Sequence, residues 1–294
     1  MIFGGCSIIM REKLLSLLDE QGMLPPLPDI VLRLKSMVGS ETGVKKISSV
    51  IEIDPVLVGR ILKLANSAFY SRSTTPVKTL PVAITKIGLN MLVKIVYSFK
   101  MTSLFSDTSV LDSTKFWRHS LAVALFTQSL GRRLMRPQEE QDLMYIAGLM
   151  HDIGVMVFGY LVAPEYTAFL KDGGDINTYL HDMEKRQFDI DHAELGALYI
   201  DRWWEVDKRI SLAVRHHHTT AEMDSSLDIH EKLMKLSNEV CNHEGITNGT
   251  MFMPETFEEN VWDDLGITPQ VRERLFEDVQ ASIGQAEEMI GMLS

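Results

Sequence analysis

The octet Ala147-Gly148-Leu149-Met150-His151-Asp152-Ile153-Gly154 decides how the rest of the sequence is interpreted. Its apolar residues surround an adjacent imidazole and carboxylate, and helix-forming residues lead into the pair from Gln138 onward. Gly154 is placed to take the left-handed backbone conformation that commonly ends a helix. The octet therefore predicts that His151 and Asp152 lie in the last turn of a largely buried helix.

Asp152 needs a positive partner in that position. A carboxylate at a helix C-terminus lies at the negative end of the helix dipole and is costly to bury unpaired. A divalent cation would meet that need, because imidazole beside carboxylate suits such an ion. The alternative is a His–Asp pair that only hydrogen-bonds to its neighbours, and the octet alone does not decide between the two.

The chain is long enough to bury one or two hydrophobic cores. Its 294 residues suffice for one large or two modest domains. No apolar run approaches the roughly 20 residues that a membrane span needs, and the N-terminus lacks the basic region of a signal peptide. Cys6 and Cys241 are the only cysteines, which excludes a disulfide framework and is typical of a reducing compartment. We therefore expect a cytoplasmic protein with no membrane partner.

Charge is distributed unevenly along the chain. Residues 1–113 hold 13 Lys and Arg against nine Asp and Glu, whereas the remainder holds 16 against 31. The basic excess concentrates in residues 44–100, with nine basic and two acidic side chains. This basic segment is either a solvated lysine face or a surface for an acidic partner or a nucleotide. The acidic overall charge argues against nucleic acid as a partner.

Hydrophobic periodicity predicts an all-α protein. Alternating β-branched runs are absent, and the Val and Ile clusters recur at spacings near 3.6 residues. Caps and breakers then define the helices. The main predictions are Met10–Glu20, Ile30–Val38, Lys45–Ile53, a helix opened by Asp54 and Pro55, one from Thr79 to Gly88, one capped by Asn90, one starting at Thr114, Val155–Leu161, Ile176–Phe188, one from His192 to Trp203 capped by Asp191, Lys208–His216, Ile229–Asn242 and Pro269–Leu293.

Histidines near the ends of other predicted helices extend the set around the octet. His119 lies early in a largely apolar helix, His192 follows the Asp191 cap, and three histidines at 216–218 end a further helix. A single helical histidine is more often a satisfied core or surface residue. Four such places in chain order are much less expected by accident, so these residues are candidates for one site.

The order His119, His151-Asp152, His192, His216-His217 resembles that of the HD superfamily of metal-dependent phosphohydrolases. Taken together, the motifs of this sequence resemble the HDOD output domain, a helical relative of that superfamily associated with bacterial signal transduction. Further marks of the resemblance lie in the first half of the sequence. These marks are Leu24-Pro25-Pro26-Leu27-Pro28, Asp54-Pro55, Leu64-Ala65-Asn66-Ser67-Ala68-Phe69-Tyr70 and Val82-Ala83-Ile84-Thr85-Lys86-Ile87-Gly88.

The resemblance runs from about Leu24 to His243 and implies the domain organisation. It implies an HD-superfamily-like helical bundle preceded by an N-terminal helical subdomain. The expected divisions are an N-terminal extension and helix (1–23), an HDOD domain (24–243) with N-terminal (24–105) and HD-like (114–243) subdomains, and an acidic C-terminal loop and helix (244–294).

Two departures from the HD pattern bear on mechanism. HD enzymes close their metal site with a late aspartate, and this chain has Asn238 at the matching position. An amide oxygen is a neutral and weaker ligand than a carboxylate. Glu239 would not easily replace it, because neighbouring helical residues point about 100° apart. In the related HD-GYP phosphodiesterases a lysine that can meet substrate phosphate follows the His-Asp-Ile-Gly motif, and here Val155 takes its place.

Two classes of function follow from the resemblance. One is a signalling module that acts through protein contacts and has a degenerate HD site, with at most one divalent transition metal such as Fe, Mn, Ni or Zn. The other is a metal-dependent phosphohydrolase or phosphodiesterase acting on a nucleotide or cyclic dinucleotide, with His151 and Asp152 in its catalytic centre. The departures favour the first class. The expected metal ligands are His119, His151, Asp152, His192, His216 or His217, and Asn238.

We expect a signalling protein or a nucleotide to bind the basic N-terminal half. Four basic residues flank or lie near the family-like segment Asn66 to Tyr70, and they are the candidates for this contact. These residues are Arg60, Lys63, Arg72 and Lys78.

Overall fold

A computed structural model describes residues 3–20, 24–37, 43–70, 75–105, 110–172, 178–204, 206–219, 226–250, 262 and 265–292. These ranges contain helices and no strand, so the predicted all-α class is confirmed. Taken singly, none of the helices in the described part of the chain is long and apolar enough to cross a membrane. The helices are α1 (Phe3–Asp19), α2 (Asp29–Met37), α3 (Val44–Ile51), α4 (Pro55–Ala65), α5 (Leu80–Ile87), α6 (Leu89–Leu104), α7 (Ser113–Arg133), α8 (Gln138–Met150), α9 (Ile153–Leu161), α10 (Ala163–Asp172), α11 (Leu180–Phe188), α12 (His192–Trp203), α13 (Lys208–His216), α14 (Ile229–His243) and α15 (Pro269–Ile290).

The helices form two compact units. The larger unit comprises Met1–Pro25 and Asp107–Ile283, and the smaller unit comprises Pro26–Ser106 and Gly284–Ser294. Helix α1 therefore belongs with the larger unit, where the Arg11 guanidinium binds the Glu194 carboxylate at 2.7 Å.

In the smaller unit, polar side chains define the helix ends. Asp54 caps α4 by accepting from the Leu57 amide at 3.0 Å, with Pro55 in the first turn, as the sequence predicts. Asn66 ends α4, and its amide group holds the backbone of Val77 through two hydrogen bonds of 2.6 and 2.9 Å. This pair of hydrogen bonds from side chain to backbone gives a structural reason for the asparagine in the family-like segment.

The larger unit has a close-packed core around α7 and α8. A Cβ atom added at Gly148 would lie 2.6 Å from the Ala124 Cα, so only glycine allows the two helix backbones to approach this closely. Buried aromatic side chains fill the space among α9, α10 and α11, where the Phe158 and Tyr166 rings stack with centroids 4.6 Å apart. Each large apolar side chain buried in this way contributes about 1.5–3 kcal/mol.

The structure corrects three predicted helix boundaries. Helix α1 begins at Phe3, seven residues before the predicted start at Met10. Gly154 does not end a helix in the left-handed conformation, because α9 starts at Ile153 and continues through it. Its lack of a side chain serves packing instead, since a Cβ there would lie 1.9 Å from the backbone oxygen of His192. Likewise Asn90 does not cap α6. Gly88, with φ of 86°, ends α5 and precedes the first residue of α6, so Asn90 lies inside the helix.

Candidate metal centre

Asp152 lies at the junction of α8 and α9, and its two carboxylate oxygens face two different groups of donors. The first group surrounds Oδ2, which lies 3.2 Å from the Nε2 atom of His151 and 3.6 Å from that of His119. The His119 Nε2 atom is also 3.1 Å from the Nε2 atom of His151 and 3.1 Å from the Oδ1 atom of Asn238. We call His119, His151, Asp152 and Asn238 the first group.

Backbone carbonyls fix the ring orientations in the first group. The Nδ1 atom of His119 lies 2.6 Å from the Ile246 oxygen, and that of His151 lies 2.8 Å from the Gly148 oxygen. Each Nδ1 therefore faces the carbonyl oxygen that accepts its proton, which turns the Nε2 atoms of both rings toward Asp152. Two imidazole nitrogens, an amide oxygen and a carboxylate oxygen thus converge.

The protonation states agree with this arrangement. Burial, followed by repulsion from His151, lowers the pKa of His119 to about 4, so its ring is neutral near pH 7. Burial opposes ionisation of Asp152. The electrostatic attraction of His151 and hydrogen bonds from surrounding imidazoles outweigh that effect and hold the pKa of Asp152 well below its usual range.

The second group surrounds the Oδ1 atom of Asp152. The Nε2 atoms of His192 and His217 lie 3.3 and 3.5 Å from this oxygen, and the Nε2 atom of His218 lies 2.8 Å from that of His192. His217 donates from Nδ1 to the Val214 oxygen at 2.6 Å. Its buried Nε2 atom has no hydrogen-bond partner among the described residues, and burial lowers its pKa to about 4. We call Asp152, His192, His217 and His218 the second group.

The donor chemistry fits a divalent metal ion. In each group, imidazole nitrogens and a carboxylate oxygen lie within 4.8 Å of one another. Neutral imidazole and carboxylate are the ligands that Mn, Fe, Ni and Zn accept. An unsatisfied lone pair on a buried imidazole costs free energy unless a cation or a donor meets it. The centre could therefore hold a metal ion in either group, with Asp152 shared between them.

Residues outside the ligand positions orient the donors. Asn248 donates from Nδ2 to the Asp152 Oδ2 atom at 2.8 Å, and Asn242 donates to the Asn238 Oδ1 atom at 3.2 Å. Glu184 on α11 accepts from the Nδ1 atom of His192 at 2.6 Å. Such outer partners fix the orientation of ligating side chains.

The structure brings together most of the residues that the sequence analysis selected. His119, His151, Asp152, His192, His217 and Asn238 all lie in the two groups. His216, the alternative to His217, is directed away from the centre, and its Nδ1 atom pairs with Glu231. Glu239 does not replace Asn238, because its carboxylate lies 3.4 Å from the Lys235 ammonium.

Sequence reasoning named His218 among the candidate histidines but left it out of the expected metal ligands, and it missed Glu184 and Asn248. The run of three histidines was a signal for His218, since two consecutive residues at a helix end can reach one site. No sequence pattern indicated Glu184 as a buried site residue, because it lies in a helix whose sequence is charged and amphipathic. Asn248 lies in a loop, where no periodic pattern indicates its position.

The four basic residues selected as partner contacts belong to the smaller unit. Arg60 lies 5.7 Å from the centroid of the Phe99 ring, and Lys63 donates to the Gly291 oxygen at 3.2 Å. Lys78 is exposed. Arg72 lies outside the described residues. The C-terminal end of α15 also reaches the family-like segment, where Glu288 accepts from the Phe69 amide at 3.3 Å.

Solved structures share this fold. The chain superposes on an HDOD domain protein from Geobacter sulfurreducens with a TM-score of 0.78 and 20% identity, covering 98% of both chains. For a candidate signal transduction protein from Marinobacter aquaeolei VT8 the TM-score is 0.75 with 20% identity, covering 98% of this chain and 66% of that one. For a candidate phosphohydrolase from Shewanella amazonensis SB2B it is 0.71 with 23% identity, covering 96% and 98%. At these identities the likeness establishes the fold.

Sequence comparison identifies the family. The chain is 25% identical over 207 residues to an uncharacterized protein from Treponema pallidum (strain Nichols). That match covers 69% of this chain and 39% of the relative, so the chain spans about two fifths of the length of that curated protein. A family model of the HDOD domain matches residues 24–220. The chain therefore belongs to the HDOD domain family.

Proposed function

We propose that this protein is a regulatory module of signal transduction that acts through contacts with a protein partner, and that its metal centre is catalytically weak or inactive. The observation that carries this proposal is the identity of residue 238. Asn238 is buried, and its side-chain oxygen is directed at His119 in the first group. A neutral amide therefore stands where the resemblance implies a carboxylate.

The charge of the centre limits how many cations it holds. Asp152 is the only carboxylate in the two donor groups, and both groups share it. Two divalent ions placed a few ångströms apart repel each other strongly in a buried site, and anionic ligands are what offset that repulsion. We expect one transition metal per chain, such as Mn, Fe, Ni or Zn. When bound, such an ion lowers the pKa of a coordinated water and polarises a phosphoryl oxygen.

A second feature argues against efficient phosphodiester hydrolysis. Val155 is fully buried in α9, at the position where the HD-GYP phosphodiesterases have a lysine. A buried valine offers no hydrogen bond or positive charge to a substrate phosphate. Substrate binding and the neutralisation of developing charge would both be weakened.

The partner contact is proposed for basic residues of the smaller unit. Residues 44–100 carry nine basic side chains against two acidic ones, although Lys94 is buried and Lys100 pairs with Asp54. The remaining basic excess would attract an acidic protein segment or a nucleotide. Exposed Val56 and Val82 in this unit would add apolar contact area beside the charges. Arg60, Lys63, Arg72 and Lys78 are the charged contacts in this proposal.

A metal-dependent phosphohydrolase is the second candidate function. The observation that favours it is the second group, in which three imidazoles and a carboxylate oxygen converge with a complete set of ligand types. If this function holds, His151 and Asp152 belong to the catalytic centre and the substrate is a nucleotide or a cyclic dinucleotide.

Metal analysis of purified, untagged protein tests the proposed occupancy. The proposal expects close to one transition metal per chain, lost on dialysis against a chelator and reduced in the His151→Ala and His217→Ala variants. Two metals per chain would overturn the argument from charge and would favour the phosphohydrolase. Metal content near zero, with the fold intact, would make the centre a purely structural polar cluster.

A further inference from the structure

Of four imidazoles in the centre, His119, His151, His192 and His217, one has a different Nδ1 partner from the other three. His119, His151 and His217 each direct Nδ1 at a main-chain carbonyl oxygen. His192 instead donates from Nδ1 to a carboxylate oxygen of Glu184, at 2.6 Å. Among these four rings, His192 is therefore the one with an anionic group behind it.

Glu184 is held in place by several donors. Its side chain is fully buried in α11, and one of its oxygens accepts from both the backbone amide and the Nδ1 atom of His192. Its other oxygen accepts from the Tyr166 hydroxyl group. Tyr166 is itself fixed by stacking on Phe158 within the aromatic cluster. Three donors thus stabilise a buried negative charge and define its orientation.

A carboxylate behind a histidine changes that histidine as a ligand. It holds the proton on Nδ1, directs the Nε2 lone pair toward the metal position, and raises the electron density on the ring. A neutral carbonyl fixes the same tautomer but supplies no net charge. The second group therefore has an electrostatic advantage that the first group lacks.

We propose that Glu184, held by Tyr166, is the positioning residue that makes the second group the tighter metal site of the two. The first group has the neutral Asn238 as its closing ligand, whereas the second group has a full negative charge directly behind His192. The single expected ion would then be bound by Asp152, His192, His217 and His218. This inference rests on the proposed metal binding and is independent of whether the protein hydrolyses any substrate.

Cobalt binding by the chelator-treated protein tests this inference. Co²⁺ is titrated with visible absorption as the readout, because the intensity and position of its bands report the ligand field. Glu184→Gln removes the charge and retains the size of the side chain. We expect it to weaken the tightest Co²⁺ site by about 10- to 100-fold and to shift the absorption bands. Tyr166→Phe, which keeps the ring stacking, should weaken binding in the same direction by a smaller factor.

Glu231→Gln is the matched control. Glu231 is also a buried carboxylate paired with a histidine Nδ1 atom, that of His216, but this pair lies outside the two groups. Glutamine also suits its position in the capping box of α14. Cobalt affinity of this variant should stay within about twofold of wild type, since the pair does not face the metal site.

Comparison of two ligand variants locates the tighter site. His218→Ala should lose more Co²⁺ affinity than His119→Ala, because only His218 belongs to the second group. The inference is overturned if folded Glu184→Gln binds Co²⁺ like wild type, or if His119→Ala has the larger effect. A wild-type protein that binds no Co²⁺ would overturn the proposed metal centre itself, and this assignment with it.

Discussion

The backbone of Gly154 packs directly against the backbone carbonyl of His192, so closely that a Cβ atom on residue 154 would lie 1.9 Å from that oxygen. This contact joins α9 to the start of α12, the helix that begins with His192. Gly196 in α12 approaches the same place, since its Cβ would lie 2.9 Å from the Gly154 amide nitrogen. The glycine of the octet thus helps to place His192 beside Asp152.

Gly154→Ala should therefore destabilise the fold by about 3 kcal/mol or more, because neither backbone can move without disturbing α9 and α12. Gly59→Ala is the control. It lies in α4 with nothing within 4 Å of the added methyl group, and it should stabilise by about 0.5–1 kcal/mol through helix propensity. Urea denaturation measures both changes. Equal stability of Gly154→Ala and wild type would contradict the close packing.

Stability of the metal-free protein should fall as the pH falls from about 7 to about 5. His119 and His217 have pKa values of about 4 in the folded protein, below the value of 6.5 for an unperturbed imidazole. Their contribution to stability is present above pH 6.5 and is lost progressively as the pH falls toward 4, because the unfolded chain binds the protons first. Each histidine adds up to about 1.4 kcal/mol per pH unit.

Other groups do not reverse this trend. Burial lowers the pKa of His192, but Glu184 and Asp152 outweigh it and raise that pKa well above the usual value, so its contribution is fully present below pH 6.5. Carboxylates titrate mostly below about pH 5. In chelator-treated protein, urea denaturation should show a smaller pH dependence of the free energy of unfolding for His217→Gln than for wild type. A flat free energy of unfolding across this range would show that the imidazoles are not held neutral.

Asn238→Asp should restore an anionic ligand to the first group. We expect the second Mn²⁺ ion to bind at least about 10-fold more tightly, because a carboxylate replaces a neutral amide in a buried site. Isothermal titration of chelator-treated protein measures this affinity. His243→Asp, at the exposed last residue of α14, is the control for a negative charge that is added on the same helix. If the two variants bind Mn²⁺ alike, residue 238 has no special role as a ligand.

Charge reversal on the smaller unit should weaken partner binding. Arg60→Glu with Lys63→Glu is expected to reduce capture of acidic partners, most strongly at low salt, where the attraction is least screened. Lys171→Glu with Arg186→Glu makes the same charge change on exposed positions of the larger unit. Pull-downs at several salt concentrations compare the variants. If the Arg60→Glu, Lys63→Glu variant and wild type capture the same partners with the same salt dependence, these basic residues are only solvated surface.

The sequence was sufficient for those features that local chemistry determines. Hydrophobic spacing predicts the all-α class, and Asp54 and Asp191 accept from backbone amides as predicted for helix caps. The histidines of four helices could be selected because imidazole is an uncommon side chain at apolar helix ends. Their mutual contacts depend on packing, which no local pattern specifies.

The remaining features depend on where helices end and how they pack. Helix α13 ends at His216, and the direction of each of the three successive histidines follows from that end point. An error of one residue exchanges His216 for His217 as a candidate ligand, and an error of two residues exchanges it for His218. Glu184 looks like a surface residue in a charged helix, and only the packing of α11 against α12 buries it beside His192. Gly154 suggested a helix end, although its role is contact between backbones.

Multiple-turnover hydrolysis by the purified, untagged protein tests the central claim most directly. Protein loaded with manganese, iron or nickel is incubated with cyclic dinucleotides, nucleotides and generic phosphodiesters, beside His151→Ala treated in the same way. The proposed regulatory function predicts little product from wild type, and no more than from His151→Ala. Sustained turnover by wild type that disappears in His151→Ala would contradict it and establish a phosphohydrolase.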